Sequence, residues 1–338
     1  MLRLSAIVPA TDAPQTLARC LAALDTAADG PDELIVVSET NGDGPGPAAA
    51  RNKGARMASG DVLVFVDSDV AVHPDAFTRI RAALERDPGL VGVIGSYDDA
   101  PDARGTVSRF RNLLHHHVHQ QSAGPVGSFW SGLGAIRRDA FVAAGGFDSH
   151  SFTVSSMEDV ELGMRLAAEG ARIELEPTVL GTHLKGWTLL SMVRTDVTRR
   201  GAPWVAVLLR RRQVPGELNL SRRHRLAAAS WVSATAALAS GRPRAALAAG
   251  TVATAANAGF YRLLAQRMGP ARAPAGVALH ALHYLSAAAA VPLGVAHYAH
   301  GRRLDRPERA RVAAAHRHER FTDAAAEVAA ATDEAVPV

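Results

Sequence analysis

The stretch Gly60–Val72, GDVLVFVDSDVAV, decides the fold. Leu63–Val66 is a short apolar run, bounded by Gly60-Asp61 before it and by His73-Pro74 beyond, and three polar residues, Asp67, Ser68 and Asp69, follow it at once. A run this short with such borders reads as a strand buried on both faces. In an open α/β sheet, ligands bind beyond the carboxyl ends of the strands. The two carboxylates of Asp67 and Asp69 therefore stand where ligand chemistry takes place. Hard divalent cations such as Mg²⁺ or Mn²⁺ take oxygen ligands, typically one or two carboxylates completed by substrate phosphates. An Asp-rich turn that merely ends the strand is the competing reading of the same residues.

Working outward, Leu4–Val8 reads as a first strand ended by Pro9, and Glu33–Val37 as a second buried strand. Helical spacing marks 15–27, 48–58 (despite Gly54) and 74–86, and Leu90–Ile94 is a further strand. Strands alternating with helices predict an α/β fold, a mostly parallel sheet with helices on both faces. No Gly-rich phosphate loop follows the first strand, so neither a dinucleotide fingerprint nor a Walker-type loop is present. Beyond Ile94, 109–121 and 157–168 read as helices, and 172–175 and 178–180 as short strands around Pro177.

The length, 338 residues with 48% hydrophobic content, suits one large domain with an appendage, or two domains. The single Cys20 excludes an internal disulfide and fits a reducing compartment. The N-terminal residues hold no apolar run of signal-peptide length. Charge is segregated: residues 1–180 carry 15 Lys+Arg against 24 Asp+Glu, residues 181–225 carry 10 against 2, and the remainder 12 against 7. A basic band beside apolar helices points to an anionic membrane surface. Nucleic acid is excluded as the expected partner because aromatics for base stacking are scarce.

Taken in order, SAIVPA, DELIVV, GPAAARNKGA, FVDSD, SGLGAIRRDAF with GGFD, and MEDVELGMRL make the chain resemble the family 2 inverting glycosyltransferases of the GT-A fold over about residues 4–190. HLKGWTL at 183–189 resembles the subset with membrane-associated C-terminal helices. The resemblance implies that Asp67 and Asp69 hold Mn²⁺ or Mg²⁺ and that Asp67 also meets the ribose–diphosphate of a nucleotide sugar, UDP- or GDP-linked. It implies that Asp159, the second acid of Glu158-Asp159, is the general base of the catalytic pair. Pro9, Ala10 and Thr11 match the turn along the nucleotide, and Arg51 a position close to it. Where the family usually has an Asp pair after the second strand, Ser38-Glu39 stands here, and Glu39 is the expected acceptor for the base N–H.

A carboxylate within reach of the acceptor hydroxyl serves as base, while a metal stabilises the leaving diphosphate. For Asp159 the alternative is an acid placed favourably at a helix N-terminus. His183 and Lys185, just past a strand, are expected at the diphosphate, with His183 also at the metal. Trp130, with Ser131 and Gly132, is expected on the acceptor side, stacking and core packing being alternatives for the indole. His115 and His119 share a helix face, yet no Cys or nearby carboxylate completes a metal set. Cleft lining or a solvated face is the expectation for that cluster.

Three stretches, 226–240, 245–261 and 273–300, lack Lys, Arg, Asp and Glu. Only the last exceeds the roughly 20 residues of a membrane span. The first two, joined by Gly241-Arg242-Pro243-Arg244, fit an interfacial or re-entrant hairpin, and buried helices of a soluble domain are the alternative. The expected organisation is a catalytic domain at 1–190, a basic linker at 191–225, membrane-associated helices at 226–300 and a charged Ala-rich tail at 301–338. The expected reaction is metal-dependent, inverting sugar transfer to a hydroxyl or phosphate of a membrane lipid or lipid-linked acceptor, with the catalytic domain facing the cytoplasm at the cell membrane. A nucleotidyltransferase on a related sheet and a non-catalytic nucleotide-sugar binder are the alternatives. Against the first, the place of a basic Gly-rich loop reads PATDAPQT.

Overall fold

Every strand and helix expected between Leu4 and Ile94 forms. In a computed structural model the described residues are 1–304 without 13, 41–43, 213–215, 217 and 219–220. From residue 305 on, the expected tail lies outside them. The elements run β1 (Leu4–Pro9), α1 (Leu17–Asp25), β2 (Glu33–Val37), α2 (Pro47–Met57), β3 (Val62–Val66), β4 (Val70–Val72), α3 (Ala76–Arg86), β5 (Leu90–Tyr97), α4 (Thr106–Gln120), β6 (Gly124–Val126), β7 (Leu133–Arg137), α5 (Arg138–Ala143), α6 (Glu158–Ala168) and β8 (Arg172–His183). Helices follow to the end: α7 (Leu189–Arg194), a π-helical segment (Thr195–Gly201), α8 (Ala202–Arg211), α9 (Arg222–Ala239), α10 (Pro243–Ala256), α11 (Ala258–Met268) and α12 (Ala273–Leu304).

The sheet is mixed, in the order β2-β1-β3-β7-β5-β8-β4, with β6 on β8. β1 pairs in parallel with β2 and β3, whereas β7 runs antiparallel to both β3 and β5. The expected α/β sheet forms, parallel through β2-β1-β3, and inserting β7 between β3 and β5 reverses the strand direction there. β1 and β3 are buried along their whole length, as a central strand covered on both faces requires. β2 is the edge strand, and Leu34 and Val36 stay 43% and 38% exposed, so the second strand is covered on one face only. The two short strands expected around Pro177 are one strand. Ile173–Leu175 pairs with β6, and past Pro177 the strand lies beside β4, so the missing N–H falls where the neighbour changes.

Two compact units share the chain: one holds 1–96 and 123–182, the other 97–122 and 183–301. Residues 97–122, inside the stretch expected as one domain, fold with the C-terminal helices. The reason is the apolar face of α4, where Phe110, Leu113, Leu114 and Val118 cluster with Met192, Phe260, Leu264 and Met268. That second unit also has a polar interior. Asp196 lies 2.8 Å from Arg111 and 2.8 Å from Nδ1 of His283. His224 meets the Tyr284 hydroxyl at 2.9 Å, and Tyr284 donates to Asn257 at 3.3 Å.

Candidate active site

β3 delivers Asp67 to the carboxyl edge of the sheet, and the chain turns there. The Val70 amide donates to the Asp67 carbonyl at 2.9 Å, and the Asp67 amide donates to the Gly132 carbonyl at 3.1 Å. Asp67, Ser68 and Asp69 are thereby left partly exposed between two buried strands. Because Val66 pairs with Leu133 in the β3–β7 ladder, Trp130, Ser131 and Gly132 run past the same turn.

α2 brings Arg51 to this edge. The helix tolerates Gly54 because a Cβ there would sit 2.4 Å from Cγ2 of Ile7, so only glycine lets α2 lie this close on β1. Arg51, 2% exposed, donates from Nη2 to Oδ1 of Asp67 at 2.6 Å and from Nη1 to Oε1 of Glu158 at 3.0 Å. Its terminal nitrogens thus serve two carboxylates and supply their buried counter-charge. Burial opposes the charge on Arg51, but Asp67, Glu158 and Asp159 together outweigh it and hold the guanidinium firmly protonated. Burial pushes Asp67 up, Arg51 opposes it, and the neighbouring Asp69 and Asp159 push the same way as burial.

That crowding is the test of a cation at the turn. The donors are two carboxylates, oxygen only, partly open to solvent, and their mutual repulsion is what a divalent charge relieves. This set fits Mg²⁺ or Mn²⁺ completed by phosphate and water. Among the described residues no three His, Cys, Asp or Glu side chains gather as a metal set. Cys20, fully buried, donates its S–H toward the Asp67 carbonyl at 3.6 Å, and burial together with Asp67 and Asp69 pushes the thiol up to about 12.

α6 opens with the two expected acids, and the structure separates their roles. Glu158 is buried, bound to Arg51, and accepts from the Ser156 amide at 2.8 Å. Burial pushes its carboxyl up while Arg51 opposes this. Glu158 thus anchors Arg51 at the start of α6. Asp159 is partly exposed, and its Oδ2 accepts from the Ser131 amide at 3.1 Å and the Ser131 hydroxyl at 3.2 Å. α6 reaches Ser131 because Gly163 lets it press on the chain below: a Cβ there would lie 2.0 Å from the Phe129 amide nitrogen.

On the nucleotide side, Pro9 pairs with Val37, and the Ala10 amide donates to the Val37 carbonyl at 2.8 Å. This sets Thr11 and Glu39, both exposed, at the ends of neighbouring strands. Lys53 holds the Glu39 carbonyl at 2.9 Å. In the second unit His183 is buried and stacks on Tyr97 at 4.3 Å, and Lys185 lies 5.2 Å over the Trp187 ring. Tyr97 also meets His115 at 4.3 Å, and His115 meets His119 at 3.9 Å. His117 and His119 are buried, which overturns the solvated-face reading of that cluster.

Sequence reasoning passed over Asn52. It exchanges two hydrogen bonds with the Phe147 backbone, at 2.8 and 2.9 Å, and so fixes the GGFD loop beside Arg51. Its signal was present in the Arg-Asn pair of GPAAARNKGA, of which only the arginine was used. Phe147 then packs on Phe65 of β3 at 5.1 Å, with Arg51 5.7 Å over its ring.

Residues 39–143 match the profile of glycosyl transferase family 2. The chain is similar to the pre-mycofactocin glycosyltransferase of Mycobacterium tuberculosis, 33% identical over 150 residues that cover 41% of this chain and 30% of that protein. It is similar to an uncharacterized glycosyltransferase of Haemophilus influenzae, 26% identical over 48% of this chain and 54% of the other. The chain thus spans 30% of the length of the mycobacterial relative and 54% of that of the Haemophilus one. Among solved structures, a mannosyltransferase from Pyrobaculum calidifontis in complex with GDP-mannose and Mn²⁺ shares the fold with a TM-score of 0.51 at 18% identity, over 86% of this chain and 87% of the other. Over residues 39–143 the chain is thus similar to glycosyl transferase family 2, and its fold is shared by the Pyrobaculum calidifontis mannosyltransferase.

Proposed function

We propose that the protein transfers a sugar, with inversion, from a UDP- or GDP-linked donor to a hydroxyl or phosphate of a membrane lipid or lipid-linked acceptor. The observation that carries this is the Arg51 bridge, which ties Asp67 at the end of β3 to Glu158 at the start of α6. The acids of the donor side and the acid of the acceptor side then belong to one charge network. Asp67 and Asp69 would hold the divalent cation, Mn²⁺ or Mg²⁺, which when bound neutralises charge on the leaving diphosphate. Pro9, Ala10, Thr11 and Glu39 line the nucleotide, with Asp67 toward the ribose. His183 and Lys185 remain candidates for the diphosphate. Asp159 accepts the acceptor's proton as its oxygen attacks, and Ser131 keeps the carboxylate aimed. Trp130 and Gly132 flank that acceptor side.

The lipid side of the proposal rests on the basic band and the apolar helices, with residues 226–300 as the membrane-associated part. Nucleotide sugars are cytosolic, so the catalytic part faces the cytoplasm. The test is a calorimetric titration with UDP, GDP and their sugars, with and without Mn²⁺. Binding of one nucleotide that depends on Mn²⁺ is the expected result. Absence of metal-dependent binding for all of them overturns the reading.

A further inference from the structure

Among the described residues, only Ala273–His300, within α12, is suited by length and composition to crossing a membrane. Its first half is nevertheless tied into the protein: His280 meets the Tyr261 hydroxyl at 3.2 Å, His283 meets Asp196, and Tyr284 meets His224. Its second half keeps Val291 and Val295 exposed, and further apolar surface without a cover lies in the same unit on α9 and α10. Leu238 and Leu247 near the connecting turn are 66% and 73% exposed, and Leu226, Val232 and Val252 are exposed with them. The two helices pack on each other through small residues, Ala234 and Ala253 being buried, and leave most of their remaining surface open.

Two further observations say what covers this surface. Between Glu217 and Asp305 the sequence contains no Asp or Glu, but it contains ten Arg. Arg222, Arg225, Arg242 and Arg244 of the hairpin are exposed. An apolar face framed by cations alone matches acyl chains beneath anionic headgroups. The open face is also shaped: Trp231 of α9 and Ala246, Leu247, Thr251 and Thr254 of α10 line one shallow, mostly apolar groove. Leu238 stands seven residues after Trp231, on the same face of α9.

Length decides the mode of contact. α9 has 18 residues and α10 has 14, so they measure about 27 and about 21 Å. A hydrocarbon core of about 30 Å is too thick for α10 to cross. Arg242 and Arg244 at the turn oppose a tip-first insertion, whereas in a flat-lying hairpin their long stems reach the headgroups.

We infer that the α9–α10 hairpin lies flat in the interface of an anionic bilayer, with Leu238, Leu247 and the Trp231 groove against the acyl chains. This deepens the lipid-acceptor reading, for which it supplies the surface that holds the enzyme on its substrate's membrane. It commits α9–α10 as a lipid-facing element.

The experiment is flotation of the full chain with vesicles of three parts phosphatidylcholine to one part phosphatidylglycerol. Wild type is expected to float with them, and far less with phosphatidylcholine alone. The double variant Leu238→Glu, Leu247→Glu should lose roughly tenfold in bound fraction. Both side chains are exposed, so the fold should survive, and a circular-dichroism melt checks this. A fluorophore on Leu238→Cys should be quenched by lipids brominated in the acyl chain, and one on Ala82→Cys of α3 should not. Cys20 is fully buried and does not compete for the label. Equal flotation of wild type and the double variant, or an unquenched label at 238, overturns the inference. So does a result in which the double variant alters only the oligomeric state, which assigns the face to a second copy. Mn²⁺-dependent nucleotide binding is measured on the same preparations. Wild type that fails to float yet keeps Mn²⁺-dependent nucleotide binding sinks the hairpin alone, and wild type that floats without that binding sinks the catalytic reading alone.

Discussion

Arg51 and Glu158 form a buried ion pair, 3.0 Å from Nη1 to Oε1, with both side chains 3% exposed. The two residues stand 107 apart in sequence, on α2 and α6. Removing one partner strands the other charge in the interior, at a cost of roughly 3–5 kcal/mol. Glu158→Gln should therefore lower the unfolding free energy measured by urea denaturation by an amount in that range. Arg51→Met should cost at least as much, since it leaves Asp67 and Glu158 both uncompensated. Unfolding free energies within about 0.5 kcal/mol of wild type for both variants, an ordinary surface effect, would show that the pair does not hold the edge together.

The metal prediction concerns Asp67 and Asp69. Asp69→Ala should abolish Mn²⁺-dependent nucleotide binding in calorimetry, because one carboxylate with water cannot replace the pair. Asp67→Ala should weaken nucleotide binding with the metal and also free one arm of Arg51. Metal-dependent affinity equal to wild type in either variant removes the cation from this turn.

Much of this edge was legible in the sequence, because local patterns specify it. The apolar run Leu63–Val66 with its terminal acids identifies β3, and the spacing in MEDVELGM identifies α6. What stayed hidden depends on contacts between distant segments. Nothing local in Glu158-Asp159 says which acid turns inward; that is fixed by Arg51 on α2 and by Gly163, which lets α6 press on Phe129. The edge position of β2 likewise follows from sheet order, which ELIVV alone cannot encode. α4 misled for a related reason: its apolar face is complete in the sequence, but the partner that covers it, Phe260 and Leu264, lies about 150 residues on.

Two buried histidines of the second unit give a pH prediction. Burial, then Arg223 and His116, lowers His117 from 6.5 to about 4. Burial, then Arg223, His117 and His283, lowers His224 from 6.5 to about 4. Between those values the unfolded chain binds protons that the folded chain refuses, so stability falls as pH drops from 6.5 toward 4. Each residue contributes on the order of 2–3 kcal/mol to that loss at its lower end. Chemical denaturation at a series of pH values measures it. His117→Phe, whose ring takes over the contact with Phe260, should flatten the slope by about one proton. A slope unchanged in that variant would mean His117 titrates normally.

Asp159 separates an enzyme from a binding module. Its Oδ2 accepts two hydrogen bonds from Ser131, one from the amide and one from the hydroxyl, which leaves the carboxylate aimed while its charge stays available as a base. Asp159→Asn keeps size and can still accept from Ser131, but it loses the basic site. Donor affinity is set by the turn at Asp67–Asp69 and by the nucleotide side, so it should change little. Turnover should fall by roughly 10²–10⁴-fold, the usual contribution of a positioned general base. Glu158→Gln provides the contrast. It should lose stability through Arg51, yet its turnover per folded molecule should remain well above that of Asp159→Asn. Measuring both variants with a radiolabelled donor and a membrane extract as acceptor, normalised to folded protein by Mn²⁺-dependent nucleotide binding, resolves the two roles. A dead Glu158→Gln beside an active Asp159→Asn would move the base by one residue. Near-normal turnover in both would remove the inverting mechanism from this pair of acids.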